Sequence, residues 1–358
     1  MDILKKYYFD EKLFEKLRKD YINGNFTEKD NTIKGKIEPP QLHHFVDLRN
    51  IDNETKQKYI EVGKTTIKNN QLGYAIVNGG MSTRFGSVVK GLVNVFDNKT
   101  FLEIKIEQVK KICYKYNAEV KIFIMNSFAT EKQTIEYIEK NNYFGLNKNN
   151  IYFFNQFIFK RLNPDGSYFE IDGEPLLSYY GPGHGDFIYA FNKSGHLDKF
   201  INSGGKHLWY SNVDNLGAVI DELILGYHVS ENSEMTVEVA QKYQGDAGGV
   251  PAIVNNRIQL VEGFGFPAEF DQTTIPVFNT ATYIFQTTSL KKEVQLPWYI
   301  VKKKVKGNEV IQFERLTGDL SVFLRSNYVI IDREERFFPI KTQQDLENLR
   351  DKLKKKFG

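Results

Sequence analysis

Apolar residues between Leu4 and Tyr21 (Leu4, Tyr7, Tyr8, Leu13, Phe14, Leu17 and Tyr21) recur mostly at helical spacings among Lys and Glu, which predicts a helix packed on a larger body. The stretch from Asn23 to Lys36 is polar and carries glycine, so it reads as loop. Pro39-Pro40 marks an extended crossing before a second helical stretch near Glu54 to Lys68. Tyr74-Ala-Ile-Val77 has the continuous apolar character of a buried strand and runs straight into Asn78-Gly79-Gly80. A helix with Leu102, Ile106, Val109 and Ile112 on one face follows, then a strand from Val120 to Met125 and a helix from Thr130. Strand, glycine turn, helix and strand in succession is the rhythm of a parallel sheet wrapped by helices.

Two further strands end in polar side chains: Ile151 to Phe154 runs into Asn155-Gln156, and His207 to Ser211 into Asn212-Val213-Asp214. Open α/β sheets bind ligands beyond the carboxyl ends of their strands, so these tips are where a site is expected. From Met235 the pattern turns to alternation (Met235, Val237, Val239), glycine clusters and short strands, an antiparallel extension that covers one side of the site. Thr342 to Phe357 reads as a closing helix. The chain thus divides into an N-terminal helical segment (1–70) packed on the core, an α/β domain with a mostly parallel Rossmann-like sheet (71–345), and a C-terminal helix (346–358).

Composition narrows this only slightly. A hydrophobic fraction of 41% with 28 Phe and 20 Tyr supplies ample apolar area for a core. The net charge of +3 is spread along the chain, which argues against a dedicated nucleic-acid surface. Lys302-Lys303-Lys304 and Lys354-Lys355-Lys356 read as a solvated edge strand and the last turn of a helix. A single cysteine, Cys113, excludes an intrachain disulfide and sits in an apolar run as a core residue rather than a nucleophile. No apolar run has the length of a membrane span and the N-terminus lacks signal-peptide character, so the expectation is a cytoplasmic protein with no membrane partner.

The most informative stretch is Asn78-Gly-Gly-Met-Ser-Thr-Arg-Phe-Gly-Ser-Val-Val-Lys90. Two glycines directly after a buried strand let the backbone turn sharply and bring N–H groups close to a base or phosphate. Arg84 and Lys90 supply charge for a polyphosphate. The loop lacks both G-x-G-x-x-G and the Gly-Lys-Ser/Thr ending, so it is neither the dinucleotide fingerprint nor the ATP-type P-loop. Glycines alone would equally suit a tight turn between two surface cations. With its strand placement the loop resembles the G-G-x-x-T-R-x-G-x-x-x-K signature of sugar nucleotidyltransferases, except that Val89 stands where the family usually has proline.

Later segments resemble, in the same order, the UTP–glucose-1-phosphate uridylyltransferase branch: Met125-Asn-Ser-Phe-Ala-Thr130, Phe154-Asn-Gln156, Gly181-Pro-Gly-His-Gly-Asp186, Ser211-Asn-Val-Asp-Asn-Leu-Gly217, Gly245-Asp-Ala-Gly-Gly249, Leu260-Val-Glu262, Phe278-Asn-Thr280 and Arg336-Phe-Phe-Pro-Ile-Lys-Thr342. The resemblance implies a nucleotidyltransferase sheet of the GT-A kind, without the C-terminal β-helix of many relatives, and hence a monomer or weak oligomer. It implies that Gln156, whose amide suits the N3–H and O4 edge of uracil, reads the base with Val77, Asn78, Gly79, Gly80, Met125 and Gly183. It places His184, Asn212, Val213, Asp214, Gly249, Glu262 and Asn279 at the sugar phosphate, and Mg²⁺ on Asp214. Arg84, Lys90 and Lys341 become the catalytic cations. Taken singly, Gln156 would also suit a solvated strand end, His184 a turn bonded to nearby backbone, Asp214 a helix cap and Lys341 a solvated helix flank. Phe313-Glu-Arg-Leu-Thr-Gly-Asp319 departs from the branch, and no role is assigned to it. The implied activity is uridylyl transfer from UTP to glucose-1-phosphate. Its rivals are a UTP-dependent pyrophosphorylase for N-acetylglucosamine-1-phosphate, galactose-1-phosphate or several sugars, and a non-catalytic UDP-sugar-binding protein.

Overall fold

The computed structural model describes residues 2–82, 88–243, 245–246, 248–338, 340 and 342–358. Its centre is an eight-stranded sheet made of β1 (Phe45–Val46), β2 (Leu72–Val77), β3 (Lys121–Asn126), β4 (Ile151–Asn155), β5 (His207–Asn212), β6 (Met235–Gln241), β7 (Val277–Gln286) and β8 (Ser326–Ile330). The spatial order is β1-β8-β6-β7-β5-β2-β3-β4. Every adjacent pair is parallel except those made by β7, which runs antiparallel to both β5 and β6. In register, Tyr74 of β2 lies between Trp209 of β5 and Ile122 of β3, so the tips of β5, β2, β3 and β4 line up side by side.

Parallel strands covered on both faces carry near-continuous apolar runs, and Leu72–Val77 is buried for five of its six residues. One face packs Tyr74, Ile76, Ile122, Ile124 and Trp209 against the helices Asn53–Lys68, Phe101–Tyr116, Glu222–Ser230 and Gln343–Phe357. The other packs Ala75, Phe123, Met125, Leu208 and Tyr210 against Asp186–Lys193 and His196–Asn202. Cys113 is partly buried against the first of these clusters. The Phe101–Tyr116 helix begins where Thr100 accepts from the Glu103 N–H (3.2 Å) and stops where Asn117 turns left-handed (φ 47°), a common helix-ending device.

Two expectations change. The helix expected over Leu4–Tyr21 is two, Ile3–Lys6 and Glu11–Ile22, because Tyr8 is left-handed (φ 55°) and Asp10 caps the second by accepting from Leu13 N–H (2.9 Å). The alternation at Met235–Gln241 does not begin the antiparallel extension expected over the site. β6 lies inside the sheet between β7 and β8, six of its seven residues are buried, and even Glu238 is interior, held by Arg336 at 2.7 Å. The antiparallel cover is made instead by two hairpins outside the sheet, Val250–Val254 with Arg257–Val261 and Tyr299–Val305 with Asn308–Glu314. The Glu11–Ile22 helix packs on the second hairpin through Phe14, Leu17, Ile300, Ile311 and Phe313. Among the described residues no helix is long and apolar enough to cross a membrane.

Candidate active site

A cleft of about 520 Å³ opens over the tips of β5, β2, β3 and β4 and is lined by Val77, Gly79, Gly80, Lys90, Gln156, Gly183, His184, Asn212, Val213 and Asp214 among others. A larger groove of about 780 Å³ lies between residues 88–98 and the C-terminal helix, but no strand tip of the central sheet faces it. Convergent chemistry, not size, selects the first.

The glycine turn folds back on itself. Met81–Ser82 pairs with Val88–Val89, and the Lys90 N–H reaches the Gly80 carbonyl (3.3 Å), which sets Lys90 beside the start of its own loop. Its ammonium forms an ion pair with Asp214 from the tip of β5. Asp214 therefore faces the cleft and caps nothing; the next helix, Glu222–Ser230, is capped by Asp221. Val213 N–H donates to the Val77 carbonyl (3.1 Å), tying the two tips together. Beneath them Lys105 is buried and donates to Tyr74 Oη (2.9 Å), Ser211 Oγ (3.0 Å) and the Ala218 carbonyl (3.3 Å), and burial pushes its pKa down to about 7. The sequence signalled Lys105 only by a lysine standing in the apolar stripe of Leu102, Ile106 and Val109.

Gln156 is 8% exposed and sits between two glycines. A Cβ on Gly181 would fall 1.5 Å from its Nε2, and one on Gly79 would fall 2.9 Å from its Oε1. Two glycines thus leave room for one amide, so Gln156 is a held side chain rather than a solvated strand end. The Asn78 amide points away from the cleft, donating to Asn126 Oδ1 and Thr134 Oγ1 (both 2.9 Å). Met125, expected at the nucleotide, is fully buried in the core; pleating turns it inward, and its contribution is a carbonyl that accepts from the Asn78 N–H (2.8 Å).

His184 also lines the cleft. Its Nδ1 accepts the Thr317 N–H at 3.0 Å, so the proton of the neutral ring sits on Nε2. Burial pushes its pKa down to about 4, which keeps it neutral at physiological pH. The loop that carries it is held by Arg315: the Gly185 N–H donates to the Arg315 carbonyl (2.8 Å) and the Arg315 N–H to the Pro182 carbonyl (3.1 Å). A Cβ on Gly183, itself left-handed at φ 89°, would sit 2.3 Å from that Arg315 carbonyl. The Arg315 guanidinium donates to buried Asp186 (2.7 Å), which in turn accepts the Phe157 N–H (2.9 Å) next to Gln156. The segment 313–319, to which sequence assigned nothing, is therefore the support of the second wall.

Gly249, Glu262 and Asn279 come together apart from the lining of the cleft. Asn279 N–H donates to the Gly249 carbonyl (2.9 Å), and a Cβ on Gly249 would lie 2.8 Å from Glu262 Oε1. The Asn279 amide donates to Tyr283 Oη (2.7 Å). Burial raises Glu262 to about 6, and burial together with nearby Glu262 raises Asp319 to about 7 against a hydrogen bond from Tyr299 Oη (3.0 Å). The hairpin wall adds Arg161, Lys303, Gln312 and Glu314. Strand alternation puts Lys303 on the same hairpin face as Gln312 and Glu314, a signal that the reading of 302–304 as a solvated run passed over. Arg84 and Lys341 lie outside the described residues. Among the described residues no group of three or more His, Cys, Asp or Glu side chains could hold a metal ion by itself.

The mostly parallel sheet that carries this cleft has the fold of solved sugar-nucleotide pyrophosphorylases. The chain superposes on the UDP-glucose phosphorylase of Trypanosoma brucei with a TM-score of 0.79 at 25% identity, covering 94% of this chain and 74% of that one. It superposes on the uridine diphosphate N-acetylglucosamine pyrophosphorylase of the same organism with a TM-score of 0.78 at 19% identity, over 93% and 75% of the two chains.

Residues 11–355 match the family model described as UTP–glucose-1-phosphate uridylyltransferase, and the chain belongs to that family. It is 30% identical over 330 residues to UTP–glucose-1-phosphate uridylyltransferase 2 of Dictyostelium discoideum, covering 87% of this chain and 63% of the relative. It is 32% identical over 307 residues to the Astragalus penduliflorus enzyme of the same name, covering 79% and 63%. The chain therefore spans under two thirds of the length of these curated relatives.

Proposed function

We propose that this chain transfers a uridylyl group from UTP to glucose-1-phosphate, releasing pyrophosphate and forming UDP-glucose, reversibly. The observation that carries the reading is the single cleft in which a glycine-framed Gln156, the Lys90–Asp214 pair and a neutral His184 converge. An oxygen of the sugar phosphate attacks the α-phosphorus of UTP in line; a P–O bond forms to it as the bond to the β-phosphate breaks, and pyrophosphate leaves with that electron pair. The nucleophile is already an anion, so no general base is needed, and the chain's work is positioning and charge neutralisation.

Gln156 reads the uracil edge between the backbones of Gly79 and Gly181. Lys90, released from Asp214, meets the triphosphate; Arg84 and Lys341 carry the same charge role by family resemblance. His184 offers its Nε2–H to the sugar phosphate, and Asn212, Glu262 and Asn279 meet the hexose hydroxyls. Asp214 is a hard carboxylate at the cleft wall and fits Mg²⁺ only with substrate phosphates completing the ligand set, as is usual for that ion. When bound there, Mg²⁺ neutralises phosphate charge. The reading carries with it a cytoplasmic monomer or weak oligomer.

The test is pyrophosphate release with UTP, Mg²⁺ and a panel of glucose-, galactose- and N-acetylglucosamine-1-phosphates. The expected result is the highest kcat/KM with glucose-1-phosphate. A higher value with another sugar reassigns the substrate, and no release with any sugar leaves a UDP-sugar-binding protein.

A further inference from the structure

The short turn that joins the first two helices grips the cleft from outside. Tyr7 is 5% exposed, and its hydroxyl donates to Glu131 Oε2 at 2.8 Å. Lys6 donates to the same oxygen, and the Asn155 amide to the other. Glu131 is the first residue of the helix that follows the cleft-lining Ser127–Ala129, while Asn155 immediately precedes Gln156. One carboxylate therefore joins the N-terminal turn to the start of the helix after Ser127–Ala129 and to the residue before Gln156.

The connection continues under the glycine turn. Asn155 lies opposite Asn126 in the ladder of β3 and β4, and Asn126 Oδ1 accepts from Asn78, the residue before Gly79. Three asparagines thus stand in a row on adjacent strand tips. Rings close both flanks: Tyr7 meets Phe128 edge-on at 6.2 Å, and Tyr8 meets Phe157 at 6.2 Å. The hydrogen bonds of Lys6 and Tyr7 end on Glu131, whereas the Tyr8 ring touches Phe157, whose N–H donates to Asp186 of the opposite wall.

We propose that the Lys6–Tyr7 turn is a positioning element for the base-reading end of the cleft, acting through Glu131 on Asn155 and so on Gln156; this rests on the reading of Gln156 as the uracil contact. The side of the cleft that takes the sugar phosphate is reached from this turn only through the Tyr8–Phe157 ring contact, which Tyr7→Phe leaves in place. Glu131 accepts from three donors, and Tyr7→Phe removes one of them. Loss of the Tyr7 hydroxyl then weakens UTP selectively.

The experiment compares wild type, Tyr7→Phe and Glu131→Gln for kcat and KM with UTP, with CTP and with the sugar-1-phosphate, alongside Lys5→Ala as an exposed control. The expected result for Tyr7→Phe is a KM for UTP raised about 3- to 10-fold, in line with roughly 1 kcal/mol. The KM for the sugar phosphate and kcat stay within about twofold, the preference for UTP over CTP falls, and Glu131→Gln shifts the same quantities in the same direction. A structural role alone would lower both nucleotides equally. Equal losses, a parallel rise in the sugar-phosphate KM, or unchanged values in both variants overturn the proposal. If wild type itself shows no preference for UTP over CTP, the reading of Gln156 fails and this inference with it.

Discussion

The two walls of the cleft treat charge in opposite ways. On the strand-tip wall the Lys90 and Asp214 side chains keep 24% and 23% of their surface exposed and pair with each other. On the opposite wall Arg315 and Asp186 keep 9% and 0%. Arg315 is also stacked over Tyr189 (3.9 Å) and Trp298 (4.6 Å), and burial still raises Asp186 to about 6 beside that cation. A charge that must change partners when phosphates arrive loses little on leaving a wet partner, whereas a charge that holds a loop gains from a dry, fixed one. On the proposed function, the partly exposed pair belongs to the chemistry and the buried pair to support.

Lys90→Ala puts the first half of that contrast to its hardest trial. Losing a preorganised cation at a transferring phosphoryl group lowers kcat/KM by about 10³-fold or more. The wet pair it leaves contributes about 0–1 kcal/mol to stability, so the melting temperature stays within about 2 °C. Near-normal turnover would remove Lys90 from the chemistry. Arg315→Met should invert the pattern: stranding Asp186 in the core costs about 3–5 kcal/mol of unfolding free energy in a denaturant titration. An unchanged midpoint would mean that the wall does not depend on the pair.

What the sequence disclosed follows the same division. The strand-tip half is written in local pattern: apolar runs of parallel strands, a glycine pair, and Gln156 and Asp214 just past strand ends, all within reach of a periodicity argument. The supporting half is written in long-range contacts. Arg315 matters because residue 186 lies across from it, and nothing local to Phe313–Asp319 announces that. Met125 stood inside a motif, but pleating turned its side chain to the core. β6 alternated like part of a covering extension because glutamate and threonine occupy positions that the neighbouring β7, β8 and Arg336 make interior. The break at Tyr8–Asp10 was legible in principle, since aspartate three residues before Leu13 is a capping signal, but the apolar spacing ran through it.

The smallest effect sharpens the comparison beside Glu262, where Asp319 is buried with Oδ2 unpartnered. Burial, the larger cause, and Glu262 raise Asp319 to about 7, so the folded state favours its protonated form. Its contribution to stability is full below the ordinary carboxylate range, near pH 4. It declines as pH rises toward 7, where the folded group ionises, and is flat above that. Asn in its place keeps an acceptor for Tyr299 and cannot ionise, so Asp319→Asn should gain on wild type as pH rises from 5 to 8, by roughly 1–3 kcal/mol. Thermal melts at the two pH values read this directly. Glu262, raised to about 6, is coupled to Asp319, so the difference reads the ionisation of Asp319 together with that coupling. A pH-independent difference would show Asp319 ionised in the fold, a supporting charge lacking the partner that Arg315 gives Asp186.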